Sequence, residues 1–269
     1  MDKSCEQFME TIPPTSEAQP TAPQPPATPL TAKWLNVIAA PGEVFAEVTA
    51  APRRAANWLV PALLYAVVGV VSVCIIFTQP AIQQTIRDQQ IKALDQRVQQ
   101  GKMTQAQEDQ ALQVIDKFMG PRMMAAFGSV FVVMYSFGSV FWWALVLWLL
   151  GRWFLKARFD YFKAVEIAGL ALVILVLGVV IATLLAVILG RLYGGPSLGL
   201  LVSDFDPTNR VHLLLGAANV VYFWHTVVLG IGLAKLSGRS SAKTLMVIFT
   251  YWIVAELLLI AVGLGSWTL

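Results

Sequence analysis

Residues 123–150 read MMAAFGSVFVVMYSFGSVFWWALVLWLL, a run without one charged side chain. At about 1.5 Å of rise per residue, roughly 20 apolar residues cross the ~30 Å hydrocarbon core of a bilayer, so this stretch can span with some tilt. Trp142, Trp143, Trp148 and Trp153 crowd its C-terminal end, and indole rings favour the headgroup region. Four further runs resemble it, at about 57–78, 164–189, 211–234 and 245–265. The sequence therefore predicts an all-α integral membrane bundle of five transmembrane helices.

Composition supports lipid as the solvent. The 269 residues are 57% hydrophobic and only 13% charged, about half the charge of an ordinary soluble domain. The net charge of +3 is accounted for by loop lysines and arginines at the membrane surface, and no nucleic-acid partner is expected. Cys5 lies in a polar tail and Cys74 inside a span, so neither a disulfide framework nor a zinc site is expected. The N-terminus lacks the apolar segment of a secretory signal, so the first span is expected to drive insertion.

Ahead of the spans, residues 1–31 are rich in Pro, Thr, Ala and Gln. Such a composition cannot bury enough apolar area to offset its ordering entropy, and a disordered tether is expected. Residues 32–56 carry two short amphipathic patterns. Trp34, Leu35 and Ile38 form one face, Val44, Phe45 and Val48 the other, with Pro41 placed to open the second helix. Both are too short to span and read as amphipathic helices lying in the membrane interface or packed against the bundle, anchored by Trp34, Phe45, Arg53 and Arg54.

Between the first two spans, residues 81–122 hold the one sizeable soluble insert. Ile82, Ile86, Leu94 and Val98 recur at multiples of four, Gly101 is placed as a stop, and Thr104 with Gln107 forms a capping-box pattern. A helical hairpin is predicted. Asp160 is placed to cap the third span. In the later connector, Asp204, Asp206 and Asn209 admit either a cation site or helix capping; capping by Asp206 before Pro207 is preferred.

Short cytoplasmic loops collect Lys and Arg. With the N-terminus inside, the inner flanks hold Lys33, Arg53 and Arg54, then Arg152, Lys156, Arg158 and Lys163, then Lys235, Arg239 and Lys243. The outer connector holds only Arg191 and Arg210. This predicts a cytoplasmic N-terminus, an extracytoplasmic hairpin and Leu269 outside.

Two ionisable residues lie at membrane depth, His225 in span four and Glu256 in span five. A charged carboxylate there costs roughly 2.5–3.5 kcal/mol on insertion scales. The short loop between these spans makes them antiparallel neighbours and suggests a His225–Glu256 pair, with Asn219 and Tyr222 extending a polar stripe. Interhelical packing glue is the preferred reading and an ion or proton path the alternative. No phosphate-binding loop, HExxH, nucleophile elbow or CxxC is present, so neither a cofactor nor an enzymatic role is expected.

The order of Trp34, Pro41-Gly42-Glu43-Val44-Phe45, Pro52-Arg53-Arg54, Trp58 and Pro61 ahead of five spans resembles the Yip1 domain family in its bacterial branch. The resemblance covers the chain from Lys33 onward and implies a multi-pass inner-membrane protein with a cytosolic N-terminus. The flexible tail, the interfacial helices and the sparse intramembrane polarity favour a scaffold or adaptor that engages the bilayer and other membrane proteins or itself. Eukaryotic members partner small GTPases through an Asp-Leu-Tyr-Gly-Pro motif. That motif is absent here, Phe118-Met119-Gly120-Pro121 keeping only its Gly-Pro, so the GTPase partnership does not carry over. A small transporter or channel component using Glu256 and His225 is the competing function.

Overall fold

The computed structural model describes residues 28–263 except 119 and 194, with backbone alone for 116–118; the proline-rich segment lies largely outside the described residues. Among the described residues the chain is helical throughout, with five helices long and apolar enough to cross a membrane. These are α3 (Ala56–Phe77), α6 (Pro121–Trp153), α7 (Tyr161–Leu189), α9 (Val220–Ser237) and α10 (Ser241–Ala261). Two short helices, α1 (Leu30–Ala39) and α2 (Pro41–Ala50), precede them. The helices α4 (Pro80–Gln99) and α5 (Gln105–Phe118) form the hairpin, and α8 (Arg210–Ala217) precedes α9.

Helix α7 is the axis of the bundle. It is apolar on every side, so it has no solvent face to present and must be enclosed by protein or lipid. Residues 164–176 are all buried, packed by α3, α6, α9 and the pair α1–α2. Its other half opens outward: Leu177, Ile181, Leu184 and Ile188 are exposed apolar side chains suited to lipid. Where α3 crosses α7, a Cβ at Gly169 would run into the Cα of Trp58, so only glycine permits the approach.

The amphipathic helices are docked on the bundle rather than lying free on a surface. Val44, Phe45 and Val48 of α2 are buried against α7 and α9. A Cβ at Gly232 would collide with Ile167 and press within 3.4 Å of the Phe45 ring. On α1 the buried residues are Lys33 and Val37, whereas Leu35 is 70% exposed. The expected Trp34–Leu35–Ile38 face is thus corrected: an ion pair with the half-buried Glu47 turns Lys33 inward and Leu35 outward.

The hairpin follows its sequence signals. The Thr104 N–H donates to Gln107 Oε1 at 2.9 Å and the Gln107 N–H to Thr104 Oγ1 at 3.3 Å. Gly101 takes φ +69°, a left-handed conformation that ends α4 at little cost for glycine. Asp160 caps α7, accepting from the Lys163 N–H.

Span four differs from its expectation. The helix expected over 211–234 is in two pieces, interrupted at Ala218 and Asn219. Backbone groups freed inside a membrane need partners, and the connector supplies them. The Leu198 N–H donates to the Ala218 carbonyl at 3.2 Å and the Val220 N–H to the Pro196 carbonyl at 3.1 Å. Gly199 lies against Gly216, where a Cβ would stand 3.4 Å from the Gly216 Cα. The small residues Gly216, Ala217 and Ala218 therefore admit a returning loop at this end of α8.

Candidate functional site

Two polar constellations lie at opposite ends of the bundle. At the α1–α2 end, the Asn57 amide donates to Glu166 Oε2 at 2.6 Å and the Lys163 ammonium to Glu166 Oε1 at 3.1 Å. Lys163 also donates to the carbonyls of Val48 and Ala51, each at 2.8 Å, closing the C-terminal end of α2 with a positive charge. Glu166 lies one turn inside α7, and Lys163 reaches it as its spacing allowed. Lys33 and Glu47 meet at 3.0 Å, and the Thr28 N–H also donates to Glu47. Burial raises the Glu47 carboxyl, but the bonds from Thr28 and Lys33 outweigh it and hold the group below the usual carboxylate range. Arg53 pairs with Asp160 at 2.8 Å and lies over the Phe162 ring.

The anchor residues thus have different fates. Phe45 is in the core, Trp34 is half-buried against it, Arg53 is held by Asp160, and Arg54 is exposed. Sequence reasoning did not single out Asn57; its signal was an amide in the first turn of an otherwise apolar span.

At the opposite end, the break before α9 borders a cavity of about 230 Å³. Asn219 caps α9, its Oδ1 accepting from the Val221 N–H at 2.9 Å. It lines the cavity together with Tyr65 and Tyr222. A larger cleft of about 490 Å³ lies between α4 and the connector, with Lys92, Arg191 and Asp206 in its walls. The two spaces share Leu192, Tyr193 and Phe205, and the last two rings are 5.0 Å apart. Burial and the nearby Asp206 push the Tyr193 hydroxyl upward.

Asp206 does not cap a helix. Asn209 does, accepting from the Val211 and His212 N–H groups, while Asp206 accepts from the Thr208 hydroxyl and N–H. Asn209 stands directly before α8, and Pro207 lies in the turn rather than at its first position. The Thr208 bonds hold the Asp206 carboxyl below its usual range.

The sequence-derived pair is not formed: among the described residues His225 makes no hydrogen bond to Glu256. His225 is buried with its ring edge-on to Trp143 at 5.5 Å, and its Nδ1 lacks a partner. Glu256 is 5% exposed and lies in the electrostatic range of Tyr135 and Tyr222. Antiparallel packing sets Trp143 against both His225 and Tyr251, one turn and more from Glu256 along α10. Asn219 and Tyr222 do share a site, the cavity at the break. Tyr65, from α3, joins them and was not foreseen.

Five apolar helices, with half of α7 enclosed among the others, define a multi-pass helical membrane protein. The Yip1 domain family model matches residues 35–264, and the chain belongs to that family. No curated protein and no solved structure matches it.

Proposed function

We propose that the protein is a non-enzymatic scaffold or adaptor of the inner membrane, with its N-terminus cytoplasmic and Leu269 outside. The observation that carries this reading is the docked α1–α2 pair. Lys33–Glu47 joins α1 to α2, Lys163 and Arg53–Asp160 hold the end of α2 at the start of α7, and Phe45 keys the pair to α9. The result is a fixed platform directly after the proline-rich segment in the chain, beside the basic loops after α6 and α9. A tether on a fixed platform suits the recruitment of other membrane proteins or a second copy. Glu256 lines none of the cavities described above, which fits packing rather than conduction. The test is crosslinking and affinity capture of the intact protein from its native membrane, with and without residues 1–31. A scaffold yields a defined partner set that shrinks when the tail is removed; an identical set, or none, counts against it.

A transporter or channel component is the second reading, favoured by the helix break at Asn219, since discontinuous helices often frame membrane transport sites. On the packing reading, Glu256→Gln leaves folding largely intact and Glu256→Lys does not. Equal membrane abundance of both variants would argue against a buried Glu256, and proton flux in proteoliposomes that Glu256→Gln abolishes would favour conduction.

A further inference from the structure

The turn that joins α6 to α7 is built around a lysine in a conformation usually left to glycine. The Ala157 N–H donates to the Gly151 carbonyl at 3.0 Å and closes the C-terminal end of α6. Such a closure needs one left-handed residue, which in most helices is glycine. Here it is Lys156, at φ +50°, the one non-glycine with positive φ among the described residues. Its neighbours impose the bend. Leu155 is buried, and Phe159 fills the space beside Gly151, where a Cβ would run into its ring. Neither neighbour requires a lysine between them, and glycine would relieve the backbone. A cation suits the negative end of a helix, yet Arg152 already supplies one a turn earlier. Backbone strain kept in this way points to a side chain with a task.

The surroundings of Lys156 define that task. Lys156 and Arg158 are exposed and make no hydrogen bond or ion pair among the described residues. Arg152 is exposed too, its guanidinium lying 5.4 Å from the centre of the Trp148 ring. The one acid of the turn, Asp160, is taken by Arg53 and by the Lys163 N–H. Three cations thus stand within seven residues with no carboxylate left in the turn to answer them. Trp153, Phe154 and Phe162 flank them and are 66%, 63% and 53% exposed. Exposed rings at the end of a span belong at the headgroup level, which sets the neighbouring cations among lipid phosphates. A soluble anion would need the cations but not the rings.

We propose that the α6–α7 turn seats the headgroup of an acidic phospholipid from the adjoining leaflet. Lys156, Arg152 and Arg158 pair with its phosphate, and Trp153 and Phe154 lie along the upper part of its acyl chains. The seat is local to this turn and holds on whichever side of the membrane this end lies. The rival occupant is the N-terminal segment, which carries Asp2, Glu6, Glu10 and Glu17.

The test titrates full-length protein in a neutral detergent with phosphatidylglycerol, or with phosphatidylcholine of the same chains, and reads the first bound lipid by native mass spectrometry. Expected is clearly tighter binding of phosphatidylglycerol. Lys156→Gly and Arg152→Gln each weaken it about fivefold, the weight of one basic residue near an anionic surface. Lys243→Gln removes the same charge from the loop between α9 and α10 and changes it little. Lys156→Gly also unfolds at no lower temperature than the parent in lipid-free detergent, because glycine accepts the left-handed backbone. Should that variant not fold, Lys156→Asn, which tolerates the same conformation, decides. The inference is overturned by equal binding of the two lipids or by affinity indifferent to Lys156→Gly. An equal loss in Lys243→Gln overturns it in favour of diffuse surface charge. Displacement of the lipid by an equal concentration of sn-glycerol 1-phosphate overturns it in favour of a soluble anion. A several-fold gain on deleting residues 1–27 assigns the seat to the acidic segment instead.

Discussion

Asn57 and Glu166, 109 positions apart in the chain, are joined by a 2.6 Å hydrogen bond across the α3–α7 crossing. Lys163 holds the other carboxylate oxygen. A buried carboxylate is tolerable only while its oxygens are bonded. Asn57→Leu strips one oxygen of its donor and is expected to cost about 1–3 kcal/mol. Adding Glu166→Leu removes the orphaned charge, so the double variant should lose less than the sum of the singles. Denaturant unfolding in detergent checks both; strict additivity would mean that the two side chains act independently.

The Lys33–Glu47 pair makes the α1 dock sensitive to acid. The Glu47 carboxyl is held below its ordinary range, so its contribution is complete above that range and is lost as pH falls through the lowered value. A spin label at the exposed position 35, with Cys5 and Cys74 replaced by serine, should gain mobility in that acid window. Glu47→Gln should give the mobile spectrum already at neutral pH. A spectrum unchanged by either treatment would show that apolar contacts alone hold α1.

The hairpin responds in the opposite sense. The hydrogen bond shared with Asp95, with the charges of Asp95 and Asp109, raises the Glu108 carboxyl above its ordinary value. A raised carboxyl binds its proton more tightly in the folded hairpin, so the contact is complete at low pH and fades as pH rises through the raised value. The α4–α5 contact should therefore loosen as pH rises through that raised value, read as a change in distance between labels on the two helices. Glu108→Gln should remove the pH dependence. The group is fully exposed, so the effect is confined to the hairpin.

Much of this architecture was legible because lipid imposes long apolar runs. The five spans, the capping box at Thr104 and the Asp160 cap all follow from local sequence. The break at Asn219 was not legible. Nothing local forbids a helix through Gly216-Ala217-Ala218-Asn219; the partners that satisfy the break are Pro196 and Leu198, reached only through tertiary folding. Polar candidates in α9 and α10 were legible as residues but not as a pair, since a small offset in depth sends His225 to Trp143. Leu35 was misassigned because helical periodicity cannot foresee that a lysine will be buried opposite a glutamate.

His225 illustrates the difference between a polar residue and a functional one. Its ring packs edge-on against Trp143 and its Nδ1 has no partner. An aromatic ring of similar shape can keep the packing without a desolvated nitrogen. His225→Phe is expected to leave membrane abundance unchanged and to raise thermal stability by up to about 1 kcal/mol. A clear loss of stability would imply that the imidazole makes a bond on which the fold depends.

The platform itself can be broken at a single atom. At Gly232 any Cβ meets Ile167 of α7 and the Phe45 ring of α2. Gly232→Val must displace one or the other, and α2, held at one face, is freer to move than the enclosed axis helix. Overpacking of this kind costs about 1–3 kcal/mol. Displacement of α2 would draw the Val48 and Ala51 carbonyls away from Lys163 and loosen the Arg53-Arg54 junction, which is already exposed but held in place by those bonds and by the Arg53–Asp160 pair. Trypsin should then cut at that junction much faster than in the parent protein. Gly138→Ala is the control, since its Cβ meets nothing within 4 Å and a helical alanine is favoured over glycine. Faster cutting in Gly232→Val but not in Gly138→Ala would tie protection of the junction to the seating of Phe45 on α9, and equal rates would detach the two.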